Sequence, residues 1–221
     1  SIGSKLVNNN LINMISFTGS TETGKKIMSS ASSSIKRLSL ELGGKNSILI
    51  LDDDDIEKYV EIAIESFCSN SGQACVATTK LLIKKSLLNN FVYLLINKLK
   101  KIKDFKKVLG PITTKNQFNN IYKILDQNSS YDDKIIFGSR KKRNDQYIFP
   151  IIYNGLPEKN IINIKEIFGP ILSIISFENE NDAVRIANDT NYGLSTVICC
   201  GNIKKAESLS RKIRSGRIWI N

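Results

Sequence analysis

Residues 46–68 read NSILILDDDDIEKYVEIAIESFC and change from a strand-like to a helix-like pattern within one short stretch. The apolar run at residues 46–51 has the length of a buried strand, and after four aspartates apolar side chains recur at helical spacing from Ile56 to Phe67. A further strand is predicted at residues 79–84. Strand, helix and strand in this order are typical of α/β folds.

The same alternation continues along the rest of the chain, without an internal repeat, a linker or a low-complexity tract. Predicted strands are residues 14–17, 46–51, 79–84, 134–137, 147–153, 171–177, 195–200 and 217–220, and predicted helices are residues 24–31, 56–67, 88–102, 114–127, 182–188 and 203–213. We therefore expect an α/β fold with a mainly parallel sheet flanked by helices.

Composition sets limits on the class of protein. A chain of 221 residues with 41% hydrophobic residues can bury a real core, and it has no apolar run long enough to span a bilayer. The net charge of +11 raises nucleic-acid binding as a possibility, but the lysines are mostly spread along helix faces. The dense basic run at residues 140–143 is predicted to be a solvated loop. We expect neither a nucleic-acid nor a membrane partner.

Histidine and cysteine usage excludes several kinds of site. With no histidine, the chain cannot form a Ser-His-Asp triad, a Cys-His pair or an imidazole zinc site. The four cysteines form no Cys-x-x-Cys pair, so we assign no metal and expect a reducing, cytoplasmic location. Cys199 and Cys200 lie in a strand-like stretch and are predicted to be buried, inert thiols. The aspartates at residues 52–55 are predicted to cap a helix rather than bind a cation.

Two residues next to glycines are candidate catalytic groups. Cys75 follows Gly72-Gln73-Ala74, and Glu41 precedes Leu42-Gly43-Gly44. A thiolate attacks carbonyl carbon well, and a nearby carboxylate could activate the thiol or the water that releases a thioester. A buried structural thiol is the alternative interpretation of Cys75.

A glycine-rich turn joins the first predicted strand and helix. It reads GSTETG at residues 19–24. Such a turn can offer backbone N–H groups and a helix N-terminus to a phosphate group. The pattern is neither a dinucleotide fingerprint nor a P-loop, so a plain tight turn stays an equal alternative.

Six motifs follow one another along almost the whole chain. In order they are FTGSTETG (residues 17–24), LELGGK (40–45), GQAC (72–75), EIFGP (166–170), NYGL (191–194) and WIN (219–221). This set resembles the NAD(P)-dependent aldehyde dehydrogenase superfamily, with weaker similarity to its betaine-aldehyde, aminoaldehyde and semialdehyde branches around residues 24–34. The order of the motifs, rather than any single one, carries the resemblance.

The resemblance implies a role for each site residue. Cys75 would be the nucleophile that adds to the aldehyde and passes through a thiohemiacetal and a thioester, and Glu41 would activate the hydrolytic water. The cofactor, NAD or NADP, would be bound by residues near the phosphates, the nicotinamide and its ribose. These are Gly19, Ser20, Leu42, Glu166 and Phe168. The reaction would convert an aldehyde to a carboxylic acid.

The resemblance also implies a domain organisation. Residues 1–43 would be the end of a partial Rossmann-type cofactor domain, and residues 44–221 would be most of the catalytic domain. An oxyanion-hole asparagine, a lysine for the adenosine ribose and an oligomerisation tail would lie outside this sequence, in a homo-oligomeric full-length enzyme.

Two other functions are alternatives to aldehyde oxidation. One is a noncatalytic fragment that acts only in assembly, and the other is a basic nucleic-acid-binding domain.

Overall fold

The computed structural model describes residues 2–221, which form two compact units. One unit ends at Gly43 and the other spans Gly44–Asn221. Strands and helices alternate in both, so the predicted α/β fold with a mainly parallel sheet flanked by helices is confirmed. The roles assigned to residues 1–43 and 44–221 stay a prediction.

The first unit contains a parallel pair of strands. Its elements are α1 (Ile2–Val7), β1 (Met14–Thr18), α2 (Thr21–Ala31) and β2 (Arg37–Glu41). Thr18 pairs with Glu41, so both strands end at the same edge. The Ser20 side chain accepts a hydrogen bond from the Thr23 N–H group, and this N-cap starts α2 at Thr21 instead of the predicted residue 24.

The second unit is built on a seven-stranded sheet with the strand order β5-β6-β7-β4-β3-β8-β9. All neighbouring strands are parallel except β5 and β6. The strands are β3 (Asn46–Ile50), β4 (Thr78–Lys84), β5 (Ile135–Phe137), β6 (Ile151–Asn154), β7 (Ile171–Phe177), β8 (Ser195–Cys199) and β9 (Arg217–Ile220).

Helices cover both faces of this sheet. They are α3 (Ile56–Cys68), α4 (Leu88–Lys100), α5 (Lys115–Gln127), α6 (Ile161–Ile164), α7 (Glu180–Asn188) and α8 (Ile203–Ser210). Ile48 and Ile50 pack in one core cluster with residues of α3 and α4, whereas Leu49 packs in a second cluster with residues of α7 and α8. This alternation along β3 is the period of two expected for a strand buried on both faces. Within residues 2–221, no helix is long and apolar enough to cross a membrane.

Three neighbouring parallel strands begin along one edge of the sheet. These are β3, β4 and β7, which start at Asn46, Thr78 and Ile171. Because parallel strands run in the same direction, the segments that lead into them meet at this edge. Those segments carry Gly44, Cys75 and Glu166, so the amino edge of the sheet positions the candidate site of the second unit.

Candidate active site

Cys75 follows a sharp left-handed turn between α3 and β4. Asn70, Ser71 and Gly72 have φ angles of 50°, 57° and 69° in succession. Ser71 Oγ donates a hydrogen bond to the Gly110 carbonyl at 2.6 Å, which fixes this strained turn to a distant loop. The turn leaves Cys75 partly buried three residues before the first residue of β4.

Gln73 ties the same turn to residues 111–113. Its Nε2 donates to the Pro111 carbonyl at 3.1 Å, and its Oε1 accepts from the N–H group and the hydroxyl of Thr113 at 2.8 and 2.7 Å. Both ends of the Gln73 amide therefore have backbone partners across the loop. The GQAC motif thus contains both the cysteine and the glutamine that anchors the preceding turn to residues 111–113.

Glu166 lies beside the start of β3. Its Oε1 accepts a hydrogen bond from the Gly44 N–H group at 3.2 Å. Burial raises the pKa of the half-buried Glu166 carboxyl, while the Gly44 hydrogen bond and the charge of Lys45 oppose that rise. The carboxylate is partly shielded from solvent, and one of its oxygens already has a backbone donor.

The segment after Glu166 packs against the turn that carries Cys75. A Cβ atom at Gly72 would lie closer than 3.0 Å to the carbonyl group of Gly169. Gln117 of α5 donates to the carbonyls of Ile167 and Phe168 at 2.8 and 3.2 Å, which holds Phe168 at a left-handed φ of 57°. The structure therefore brings the Cys75 turn together with the segment of Glu166 and Phe168.

Lys45 is a buried charge that the sequence motifs did not single out. Its side chain is 2% exposed, and Nζ donates to Thr79 Oγ1 at 3.0 Å. Burial, reinforced by the charge of Lys80 and opposed by Glu166, lowers the pKa of Lys45 to about 7. The position of Lys45 directly before an apolar run is the sequence feature that could have indicated its burial.

The other predicted site residues lie together in the first unit, at the edge where β1 and β2 end. The Gly19 N–H group donates to the Glu41 carbonyl at 3.0 Å, and the Glu41 side chain is exposed. Ser20 caps α2, and a Cβ atom at Gly24 would lie 2.7 Å from Leu42 Cδ2. This edge therefore gathers Gly19, Ser20, Glu41 and Leu42.

The remaining cysteines differ from Cys75. Cys68, Cys199 and Cys200 are buried, which confirms the prediction for the adjacent pair. Burial raises the pKa of Cys68 and of Cys199 to about 12 and that of Cys200 to about 11. A thiol with such a raised pKa is a poor nucleophile near neutral pH.

The acidic and basic runs mostly have partners within the chain. Asp55 Oδ1 accepts from the Lys58 N–H group at 3.3 Å, which confirms its predicted capping role. Arg140 pairs with Asp126 and Asp132, and Arg143 pairs with Asp145. The basic run is thus partly neutralised by its own chain. Among the residues that the structure describes, no cluster of cysteine, aspartate and glutamate side chains could hold a metal ion.

The chain is similar to a known protein family and to several of its members. Residues 1–221 match the model of the aldehyde dehydrogenase family. Betaine aldehyde dehydrogenase 1 of Oryza sativa subsp. japonica is 35% identical over 227 residues, covering 99% of this chain and 45% of that protein. Aminoaldehyde dehydrogenase 2 of Zea mays is 34% identical, with 99% and 45% covered.

Solved structures agree with the sequence matches. Betaine aldehyde dehydrogenase from Staphylococcus aureus in complex with NAD+ superimposes with a TM-score of 0.93 at 31% identity, covering all of this chain and 46% of that chain. The chain thus spans about half the length of the relatives it matches. The resemblance seen in the motifs is confirmed, and the chain belongs to the aldehyde dehydrogenase family.

Proposed function

We propose that this chain carries the thiol nucleophile of an enzyme that oxidises an aldehyde to a carboxylate with NAD+. The observation that supports this most is the contrast among the four cysteines. Cys75 alone among them is partly exposed, on a strained turn packed against the Glu166 segment. Accessible thiols on a shaped, rigid loop are typical of catalytic cysteines, whereas buried thiols are inert.

The chemistry proposed for Cys75 is addition followed by acyl transfer. Its thiolate sulfur forms a bond to the aldehyde carbon as the carbon–oxygen π bond breaks, and the carbonyl oxygen becomes the alkoxide of a thiohemiacetal. The nicotinamide cofactor, when bound, supplies the acceptor for the hydride of that carbon, which leaves a thioester on Cys75. Water adds to the thioester carbon, the carbon–sulfur bond breaks, and the acid leaves while the thiolate is regenerated.

Glu41 is proposed to remove the proton from the hydrolytic water. This role comes from the family resemblance and from the chemistry of a carboxylate base. In the structure Glu41 is the last residue of β2, and its exposed side chain is free to approach a ligand. The product leaves as a carboxylate, its proton and the proton taken by Glu41 pass to solvent, and the thiolate is ready for the next aldehyde.

The proposed cofactor residues fit a dinucleotide in chemical terms. Gly19 and Ser20 precede α2, whose 11 residues give its N-terminus a dipole that attracts pyrophosphate. The hydroxyl of Thr21 in the first turn is buried without a hydrogen-bond partner, so a polar ligand group there would satisfy it. Glu166 would accept hydrogen bonds from the hydroxyls of the nicotinamide ribose. The Leu42 backbone would contact the nicotinamide, and Phe168 would pack near its ring.

The relatives support NAD+ as the cofactor and a betaine or amino aldehyde as the substrate. One related structure is described as a complex with NAD+, and similar proteins are named betaine aldehyde or aminoaldehyde dehydrogenases. NADP is the alternative cofactor. A homo-oligomeric full-length enzyme and a cytoplasmic location belong to the same proposal, although relatives include proteins named chloroplastic and peroxisomal.

The test is dehydrogenase activity in the presence and absence of the Cys75 thiol. The purified chain, and a version extended to the length of its relatives, would be assayed with NAD or NADP and with betaine, amino and aliphatic aldehydes. Cys75→Ser is expected to abolish turnover, whereas Cys68→Ala, which changes a buried cysteine, is expected to retain it. Turnover by Cys75→Ser at the parent rate would refute the proposal.

Three further outcomes separate the alternatives. Activity only in the extended version would mean that residues outside this sequence complete the site. Association with the extended version, without turnover by either protein, would favour the noncatalytic assembly role. Acid formation without any added thiol would support hydrolysis of the thioester rather than transfer to another thiol.

A further inference from the structure

Asn46 is a buried amide whose hydrogen bonds converge on the segment that carries Cys75. It is the first residue of β3 and is 2% exposed. Its Nδ2 donates to the Cys75 carbonyl at 2.6 Å and to the Ala77 carbonyl at 3.1 Å. Its Oδ1 accepts from the Ser195 N–H group at 3.0 Å. One side chain therefore serves three backbone groups on two other segments.

These partners determine which way the amide points. Nδ2 faces two carbonyl oxygens and Oδ1 faces an N–H group, so a flipped amide would place acceptors against acceptors and a donor against a donor. Asn46 therefore has a single satisfied orientation. A residue that cannot both donate and accept would leave buried backbone groups without partners.

The hydrogen-bond ladder between β3 and β4 is irregular next to Asn46. Asn46 pairs with Thr78 but Ser47 pairs with Lys80, so the register shifts at the first residues of both strands. Regular strand pairing begins only after Cys75 and Ala77. The Asn46 side chain supplies hydrogen bonds to their carbonyls at the point where the ladder does not reach them.

Gly44 leaves the space that this arrangement needs. A Cβ atom at Gly44 would lie closer than 3.0 Å to Asn46 Oδ1. The Gly44 N–H group meanwhile binds Glu166. Residues 44–46 thus contact the Glu166 carboxylate through a backbone donor and the Cys75 segment through a side chain.

We propose that Asn46 is the positioning residue for Cys75, holding the nucleophile segment to the central strand of the sheet through the Cys75 and Ala77 carbonyls. Because the peptide unit is planar, fixing the Cys75 carbonyl also fixes the plane of the bond that leads into Val76. The thiol is then presented from a backbone that cannot rotate freely. This inference rests on the proposed role of Cys75 as the nucleophile.

The test is site-resolved alkylation of the chain by iodoacetamide, read by mass spectrometry at each of the four cysteines. In Asn46→Ala the released segment is expected to expose Cys75, so that its alkylation accelerates by about tenfold or more. Cys68, Cys199 and Cys200 are expected to stay protected. General loss of stability would instead accelerate all four cysteines together, and that result would overturn the proposal.

Asn128→Ala is the matched control. Asn128 is also 2% exposed, and its Nδ2 donates to a backbone carbonyl, that of Ile124, at 2.8 Å. Its loss is expected to lower stability but to leave the Cys75 alkylation rate within about twofold, because the hydrogen bonds of Asn128 stay within residues 124–131. An equal acceleration at Cys75 in both variants would also overturn the proposal.

Asn46→Ser provides a conservative variant that keeps a small donor. Its hydroxyl can bind one of the two carbonyls, so an alkylation rate between those of the parent chain and Asn46→Ala is expected. If Asn46→Ala does not fold, the serine variant carries the test, and an unchanged rate at Cys75 would refute the proposal. The proposed role of Cys75 as the nucleophile is tested separately, because turnover by Cys75→Ser at the parent rate would refute that role and not the positioning by Asn46.

Discussion

The Gly44 N–H group and the Glu166 carboxylate are joined by a hydrogen bond of 3.2 Å, although 122 residues separate them in the sequence. The bond connects the segment that leads into β3 with the segment that leads into β7. Because the donor is a backbone N–H group, any residue other than proline at position 44 could supply it, but only glycine leaves room for the Asn46 amide. Two motifs far apart in the chain therefore depend on one another at the amino edge of the sheet.

Glu166→Gln is expected to weaken binding of the nicotinamide cofactor without unfolding the protein. The glutamine oxygen can still accept from Gly44, but it lacks the negative charge that strengthens hydrogen bonds from ribose hydroxyls. Loss of a charge-assisted bond costs about 1.5–3 kcal/mol, which corresponds to at least about tenfold in Kd. Titration of reduced cofactor by fluorescence measures this change in the extended, cofactor-binding form.

Glu178→Gln is the control for that experiment. Glu178 pairs with Lys85 at an exposed position of the second unit, away from the amino edge of the sheet. Its neutralisation is expected to leave cofactor affinity unchanged. Equal cofactor affinity in Glu166→Gln and the parent protein would show that Glu166 does not contact the ribose.

Lys45→Met is expected to change how stability depends on pH. Burial lowers the folded-state pKa of Lys45 to about 7, from its usual value of 10.5 in an unfolded chain. Between these values the unfolded chain binds a proton that the folded chain has released, so the stability of the parent protein rises with pH. Below about pH 7 both states are protonated, and the full cost of burying the charge is present.

The measurement is urea unfolding of both proteins from neutral to alkaline pH. The stability of the parent protein relative to Lys45→Met should increase with pH across this window, by up to about 1.4 kcal/mol per pH unit. Lys80, whose pKa burial lowers to about 8, is present in both proteins, so the cost of its burial is common to them and the difference reports Lys45 together with its repulsion of Lys80. A difference that does not vary with pH would mean that Lys45 does not titrate in this range.

Local patterns were sufficient for most elements but not for their ends. The apolar runs of β3 and β7 and the helical spacing of α3 and α4 are strong signals because these elements are buried on a clear face. The strand predicted at residues 147–153 instead forms at Ile151–Asn154, where it pairs with β7. β2 was not predicted, since Arg37–Glu41 has only two apolar residues and forms a strand by pairing with β1.

The residues of the candidate site also divide into those that the sequence singles out and those that only the fold reveals. Short motifs single out Cys75 and Glu41, because a thiol nucleophile and a carboxylate base lie next to glycines, and the family resemblance assigns Glu166 to the cofactor ribose; these roles stay predictions. Asn46, Gln117 and Lys45 were not predicted, because their importance arises from partners distant in sequence. Gln117, for example, binds carbonyls that lie 50 and 51 residues away. A local pattern does not show which distant partners such a side chain meets in the fold.

Gly72→Ala is expected to destabilise the protein strongly. Gly72 has a φ of 69°, and a Cβ atom there would lie closer than 3.0 Å to the backbone of Gly169. An alanine is strained in that conformation and would also push two site segments apart, so a loss of more than about 1 kcal/mol is expected. Gly110→Ala is the control, because a Cβ atom at Gly110 would have no atom within 4 Å.

Chemical unfolding monitored by circular dichroism measures both glycine variants. Gly110→Ala should be neutral or slightly stabilising, since alanine restricts the unfolded chain more than glycine does. Similar stability of the two variants would contradict the close packing of Gly72 on Gly169. Faster alkylation of Cys75 in Gly72→Ala, with the other cysteines protected, would show that the strain is local to the nucleophile turn.

Asp55→Ala is expected to lower stability by about 1 kcal/mol, because it removes the N-cap of α3. Asp55 Oδ1 accepts from the Lys58 N–H group, and its charge lies at the positive end of a 13-residue helix. Asp53→Ala removes the same charge from the same acidic run, but Asp53 is exposed and does not cap the helix. The difference between the two variants in urea unfolding near neutral pH therefore isolates the cap. If both variants lost equal stability, the acidic run would act through its total charge instead. If added calcium or magnesium stabilised the parent protein but neither variant, the run would bind a cation, contrary to the capping role seen at Asp55.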